Sequence, residues 1–296
     1  MNNIYIIHMG AIGDLVLAGP TLAAVRRAWP QARITLIGQP ERTVLAQAAG
    51  WVDACEDFDT HLARPAPPAA DLLVDFLSSP AAAAYLGAAK VAAVHPIPPP
   101  GWNRPAAAWI LGETARQLGL DAPADDRPQI PLPSALVESA RAILVERGVR
   151  GPFAAIHPGS GSRAKNWPMD RFVEVAQRLR RTGRDVVWLV GPAERDRGTR
   201  PPETETVLSD LPLDLVAGVL TRADLYLGND SGATHLAAAV RGPGGRRTPT
   251  VALFGPTDPQ VWAPRGPHVR VVRSPDGTMD GLTLERAWKT VADLRK

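Results

Sequence analysis

"IYIIHMGAIGDLVLAGPTLAAVRRAWPQARITLIG" (residues 4–38) decides the fold. The β-branched apolar run 4–9 stops at Gly10, and helical spacing follows through Arg26 and Arg27, whose charge suits the C-terminal end of a helix dipole. "RITLIG" (33–38) then reads as a second strand. Strand, helix and strand in that order form a βαβ unit, which makes the two strands parallel. Further strands are expected within "WVDACEDF", "DLLVDF" and "KVAAVH", so residues 1 to about 120 read as one α/β layer structure.

"LDAPADDRPQIPLP" (120–133) has the proline and acidic content of an exposed linker. Beyond it the alternation restarts, with strands "FAAIH", "DVVWLVG", "LYLGND" and "TPTVALFG" set between helical segments, and an amphipathic helix in "LTLERAWKTVADLRK" closes the chain. "GTRPPETETVLSD" (198–210) reads as loop where a helix and a strand would be expected. The chain therefore divides into domains at 1–133 and 134–296. A length of 296 residues, 45% of them hydrophobic, suits two cores better than one.

Charge is uneven. Residues 1–133 hold 9 Lys and Arg against 12 Asp and Glu, and residues 134–296 hold 24 against 18, so the second half is the one suited to an anionic ligand. Its arginines are scattered with little aromatic interleaving, which argues against nucleic acid as a partner. Cys55 is the sole cysteine, so no intramolecular disulfide forms and a reducing compartment fits. The N-terminus lacks a basic n-region and no apolar run reaches the ~18 residues of a membrane span. A cytoplasmic protein is expected, with contact at a membrane surface compatible.

Parallel sheets bind ligands beyond the C-terminal ends of their strands, so the loops there carry the chemistry. In "GAIGD" (10–14), Gly10 and Gly13 allow close approach of backbone to a ligand, and Asp14 either caps the helix or acts in the reaction. In "HPGSGSRAKNWP" (157–168), Gly159, Ser160, Gly161 and Ser162 supply N–H and hydroxyl donors and Lys165 a mobile charge, a set suited to phosphate. In "GNDSGATHLAAA" (228–239), Asp230 and Ser231 stand at a helix start, Gly232 admits a ligand, and His235 falls one turn beyond Ser231. "FGPTDPQVWAPRG" (254–266) reads as a proline-rich wall. Asp57 and Asp59 have metal-pair spacing but lie far in sequence from the phosphate loops, and the histidines show no mutual ligand spacing, so no metal site is expected.

Taken together, "GAIGDLVLAGPTLAAVRRAWPQARITLIG", "HPGSGSRAKNWPMDRFVEVAQRL", "ADLYLGNDSGATHLAAA" and "VALFGPTDP" resemble glycosyltransferase family 9, the heptosyltransferase family, in order and in place over nearly the whole chain. The resemblance implies a GT-B fold, α/β, in which two Rossmann-like domains with parallel sheets face a cleft and the last helix (282–294) packs back on the first domain. It implies inverting transfer of a heptose from ADP-L-glycero-D-manno-heptose to a sugar hydroxyl of the lipopolysaccharide core, with no metal and no other cofactor. By this resemblance Asp14 is the base. The donor contacts are Gly13, Ser160, Gly161, Ser162, Lys165, Asp230, Ser231, Gly232 and His235, with Glu194 or Asp196 on the ribose. Arg64, Lys90 and Arg104 are acceptor candidates. The implied partners are an ADP-activated sugar and a glycan or glycolipid, met by a monomer at the cytoplasmic face of the inner membrane. Competing readings are a nucleotide-sugar-binding protein without transfer, a transferase with another donor and acceptor, and an epimerase or hydrolase. An NAD enzyme fits poorly, because G-x-G-x-x-G is missing.

Overall fold

In a computed structural model the described residues are 1–62, 69–77, 84–121, 124–197, 201–202 and 205–294. They form two compact units, Met1–Pro131 and Leu132–Lys296, which part inside the segment read as a linker.

The first unit is built on five strands, β1 (Asn3–His8), β2 (Arg33–Gly38), β3 (Ala54–Asp57), β4 (Leu72–Asp75) and β5 (Val91–Ala93), in the order β3-β2-β1-β4-β5. Every pairing is parallel, with His8 level with Gly38 and Ile7 level with Asp75. Central β1 is buried along Ile4–His8, as a strand covered on both faces must be. Helices Ile12–Ala28 and Ala106–Leu118 pack on each other, while Tyr5, Ile7, Ile37 and Leu73 join Leu86 in a separate apolar cluster. Cys55 on β3 is half-buried, its Sγ donates to the Thr43 carbonyl at 3.2 Å, and burial pushes its thiol pKa up.

Among the described residues the main sheet of the second unit has six strands: β6 (Phe153–His157), β7 (Asp185–Val190), β8 (Thr206–Ser209), β9 (Leu225–Asn229), β10 (Thr250–Phe254) and β11 (Val269–Arg273). Their order is β11-β10-β9-β6-β7-β8, again wholly parallel. Both sheets thus follow the Rossmann order, in which the chain first builds outward to one side of its first strand and then to the other. That reversal opens a crevice beyond the C-terminal ends of β1 and β4 in the first unit, and of β6 and β9 in the second.

One expectation from sequence changes, and one strand is added. "TVLS" within 198–210 is strand β8, and Val269–Arg273, which no expectation covered, is strand β11. Both are edge strands, only partly buried, so neither carries the continuous apolar run that marks an interior parallel strand. The closing helix Leu284–Asp293 buries Ala287 and Val291 in the second unit's own core, beside Trp167, Phe172 and Trp188. Among the described residues no helix is long and apolar enough to cross a membrane.

Candidate active site

The crevice of the second unit gathers the residues that its sequence suggested. After β6 the chain runs through Pro158–Ser162 into a single 3-10 turn, Arg163–Lys165, before the helix Met169–Arg180. Asn229, at the end of β9, ties down both ends of this loop. Its Nδ2 donates to the Pro158 carbonyl at 2.7 Å, and its Oδ1 accepts from the Trp167 N–H at 3.0 Å. Trp167 in turn donates through Nε1 to the Leu282 carbonyl at 2.7 Å and packs edge-on against Phe172. The loop is therefore fastened to the core at its base, and its middle, Gly161–Ala164, is exposed.

Across the crevice Asp230 is buried and its Oδ2 accepts from Lys165 Nζ at 2.7 Å and from the Thr257 hydroxyl at 2.7 Å. His235 Nε2 lies 3.9 Å from Asp230 Oδ1. Ser231 caps the helix Gly232–Ala239, accepting from the Thr234 N–H at 3.4 Å. Thr234 also donates to the Asn229 carbonyl, so strand end and helix start are one rigid corner. Beneath it the Tyr226 hydroxyl meets Thr234 Oγ1 at 3.1 Å, and burial pushes the Tyr226 pKa up. The arrangement offers a cation, a carboxylate, hydroxyls and a helix N-terminus around one crevice, which suits a phosphorylated ligand that also presents hydroxyl groups.

The two ribose candidates part company. Glu194 is buried, with Oε2 accepting from the Gly191 N–H at 2.9 Å and 3.4 Å from His157 Nε2. Burial works to raise the Glu194 carboxyl, but the His157 ring and the Gly191 N–H outweigh it and hold it below its usual range. Gly159 packs directly on this side chain, leaving no room for a Cβ. Asp196 is exposed at the end of the short helix Pro192–Asp196. A cavity of about 250 Å³ opens at the same edge of the sheet, lined by Val190, Arg195, Pro201, Pro202, Val207, Ser209 and Asp210. Asp210 holds the left-handed conformation at φ 54° and pairs with Arg195. A non-glycine residue in that region marks local strain, a feature that gathers at binding sites.

In the first unit, Asp14 occupies the third position of helix Ile12–Ala28, and its Oδ2 accepts from the Ala11 N–H at 2.8 Å. It is thus a helix cap. Gly13, half-buried, lies in the same first turn. Gly10 is wedged between Asp14 and His8, where a Cβ would meet Asp14 Cβ at 2.8 Å and His8 Cε1 at 2.9 Å. Arg42 fixes this turn from the side, donating to the Gly10 carbonyl at 2.8 Å.

The acceptor candidates fare unequally. Arg104 follows β5, on the Asp14 edge of the sheet, with its guanidinium 5.6 Å from the Trp102 ring centroid. Lys90 precedes β5 and so stands at the N-terminal edge of an all-parallel sheet, the edge opposite Asp14. Lys90 is thereby removed from the crevice by strand direction alone. Arg64 lies outside the described residues.

A family model described as glycosyltransferase family 9 (heptosyltransferase) matches residues 112–289, more than half of the chain. The chain belongs to glycosyltransferase family 9. Lipopolysaccharide heptosyltransferase 3 of Escherichia coli K12 is 30% identical over 125 residues, which are 40% of this chain and 35% of that relative. The matched stretch thus spans little more than a third of that relative's length. A crystal structure of a family 9 glycosyltransferase from Veillonella parvula superposes with a TM-score of 0.79 at 18% identity, covering 99% of this chain and 97% of that one. The E. coli heptosyltransferase WaaC with ADP gives 0.75 at 18%, covering 99% of both. The fold is accordingly GT-B, with two Rossmann-like units. Every donor residue named above falls within the family 9 match apart from Gly13, which like Asp14 precedes it.

Four residues that hold the second unit's site together were missed by sequence reading: Asn229, Thr234, Thr257, and Arg197, whose Nη1 donates to the Ser160 carbonyl at 2.6 Å. Asn229 lies inside the quoted motif but reads as the end of an apolar strand. Thr257 sits in a loop singled out only for its prolines. Arg197 is a charged residue in a run of charged residues, with no local pattern to distinguish it.

Proposed function

We propose that the chain is an inverting glycosyltransferase that moves a heptose from ADP-L-glycero-D-manno-heptose to a sugar hydroxyl of the lipopolysaccharide core. The observation that carries this reading is Lys165 held beside Asp230 at the crevice of a family 9 unit. Relatives named lipopolysaccharide heptosyltransferases, and a fold relative solved with ADP, support it.

In this reading the acceptor oxygen attacks the anomeric carbon from the face opposite the diphosphate, forming a new C–O bond as the bond to the diphosphate breaks. Asp14 takes the acceptor proton, and ADP leaves with the bonding electrons. Direct displacement inverts the anomeric centre, and a base positioned at the attacking oxygen lowers its barrier. Lys165 and the N–H of Gly161 stabilise charge developing on the leaving ADP, where preorganised donors act most strongly. Asp230, Ser231 and His235 hold donor hydroxyls, and Gly232 leaves space for them. The cavity beside Asp210 takes the nucleoside, with Glu194 or Asp196 toward the ribose. No metal or cofactor takes part, because Lys165 and the backbone meet the diphosphate. The enzyme works as a monomer in the cytoplasm, in peripheral contact with the inner membrane, and Arg104 helps to hold an anionic acceptor.

The test is a transfer assay with purified protein, ADP-heptose and truncated lipopolysaccharide cores. Product of inverted anomeric configuration in the presence of a chelator is expected. Donor binding without transfer to any core would replace the transferase reading with that of a binding protein.

A further inference from the structure

Arg197 lies just past the short helix that follows β7, and its guanidinium reaches back to the loop after β6. Nη1 donates to the Ser160 carbonyl at 2.6 Å and Nη2 to the Gly161 carbonyl at 3.1 Å. One rigid fork therefore holds two successive carbonyls, a geometry that a planar guanidinium provides and an ammonium does not. The consequence lies on the other side of the peptides. In a trans peptide the N–H points opposite to the C=O of the preceding residue. Fixing the Ser160 carbonyl toward Arg197 turns the Gly161 N–H away from it, on an exposed part of the loop. The next N–H, of Ser162, is turned inward onto Ser160 Oγ at 3.2 Å. Gly161 has no side chain to hold this orientation, and no Cβ to block a ligand approaching its N–H.

We infer that Arg197 is a positioning residue: its fork on the Ser160 and Gly161 carbonyls aims the Gly161 N–H at a diphosphate oxygen. This rests on the proposed role of the loop in holding the donor diphosphate. Arg197 acts through the backbone and need not touch the substrate. Glu194, packed against Gly159, supports the same loop from below, so the segment after β7 braces it at two points.

Inorganic pyrophosphate and adenosine, titrated separately into the full chain by calorimetry, test the inference with Arg197→Gln and Arg197→Lys. Both variants should bind pyrophosphate at least about tenfold more weakly than wild type, the loss of roughly one charge-assisted hydrogen bond, with adenosine binding unchanged. The Lys variant is decisive, since it keeps the charge and loses the fork. Wild-type affinity for pyrophosphate in Arg197→Lys would overturn the inference, as would equal weakening for adenosine or a wild-type protein that does not bind pyrophosphate. Transfer from ADP-heptose by wild type is scored separately. Transfer with pyrophosphate binding intact in both variants rejects the role of Arg197 alone. No transfer, with pyrophosphate binding lost in both variants, rejects the transferase reading and leaves the loop's brace standing.

Discussion

Lys165 Nζ stands 2.7 Å from Asp230 Oδ2, joining two loops that lie 65 residues apart in sequence. Asp230 is the more deeply placed partner, with its side chain 7% exposed against 30% for Lys165. The pair keeps the lysine aimed into the crevice before any ligand arrives, and the Thr257 hydroxyl supplies Asp230 with a second donor.

Removing the lysine charge should expose this dependence. Lys165→Met removes one donor from Asp230 Oδ2 and leaves the Thr257 hydroxyl on it, and should cost about 1–3 kcal/mol of stability in urea unfolding, the range for a buried acceptor deprived of a partner. In the same variant ADP should lose its stabilising effect in a thermal shift while adenosine keeps its own. Equal ADP stabilisation in both proteins would remove Lys165 from the diphosphate site.

Asp14 combines a structural and a proposed chemical role, and the two separate by substitution. Asn keeps a side-chain oxygen to accept from the Ala11 N–H, so Asp14→Asn should unfold within about 1 kcal/mol of wild type. Transfer, by contrast, should fall by about 10²–10⁴-fold, the usual contribution of a general base. Donor binding should be retained. Turnover at the wild-type rate would show that Asp14 is a cap and nothing more.

The Asn229 side chain holds both ends of the loop after β6, so its loss should loosen that loop more than the sheet. Asn229→Ala is expected to cost about 2–3 kcal/mol, from two buried hydrogen bonds with the Pro158 carbonyl and the Trp167 N–H left unpaired. Hydrogen exchange should rise at residues 159–167 and stay low in β9. Uniform exchange across the unit would mean that the staple serves global stability.

His8 makes the first unit acid-sensitive. Burial pushes its imidazole down to about 4, against the pull of Asp14, so the folded state keeps the ring neutral while the unfolded chain takes up a proton near 6.5. Its folded pKa is depressed, so its contribution is complete above about 6.5 and is lost as pH falls toward 4. Lowering the pH from 7.5 to 5 should therefore cost wild type on the order of 2 kcal/mol more than His8→Gln. Parallel pH profiles for the two proteins in urea unfolding would refute the assignment.

Local sequence revealed most of the scaffold. β1, the helix after it and β2 follow from residues 4–38, and β6, β7, β9 and β10 from apolar runs buried on both faces. β8 and β11 escaped because edge strands bury less and mix arginine or serine with their apolar residues. The closing helix showed its apolar stripe but not the surface that receives it, which is the cluster around Trp167 and Phe172. Among site residues, Lys165, Asp230, Ser231 and His235 stood in loops with visible glycine and polar patterning. Asn229 lies in one of those loops but reads as a strand end, and Thr257 and Arg197 work by long-range hydrogen bonds that leave no trace in their neighbours. Lys90 erred in the opposite sense, since a positive charge says nothing about which end of a strand it occupies.

By itself, the sequence determined that the strands are parallel, that the ligand loops follow their C-terminal ends, and that a phosphate-suited loop and an Asp-Ser-Gly helix start are among them. Those properties arise from pleat, helix turn and the length of crossovers, all of which act over a few tens of residues. Only the tertiary structure decided that β6 lies beside β9, so that Lys165 meets Asp230, and that Arg197 reaches back to Ser160 and Gly161. Strand order is chosen by burying whole faces of a sheet under helices from distant parts of the chain, and no local pattern encodes that choice.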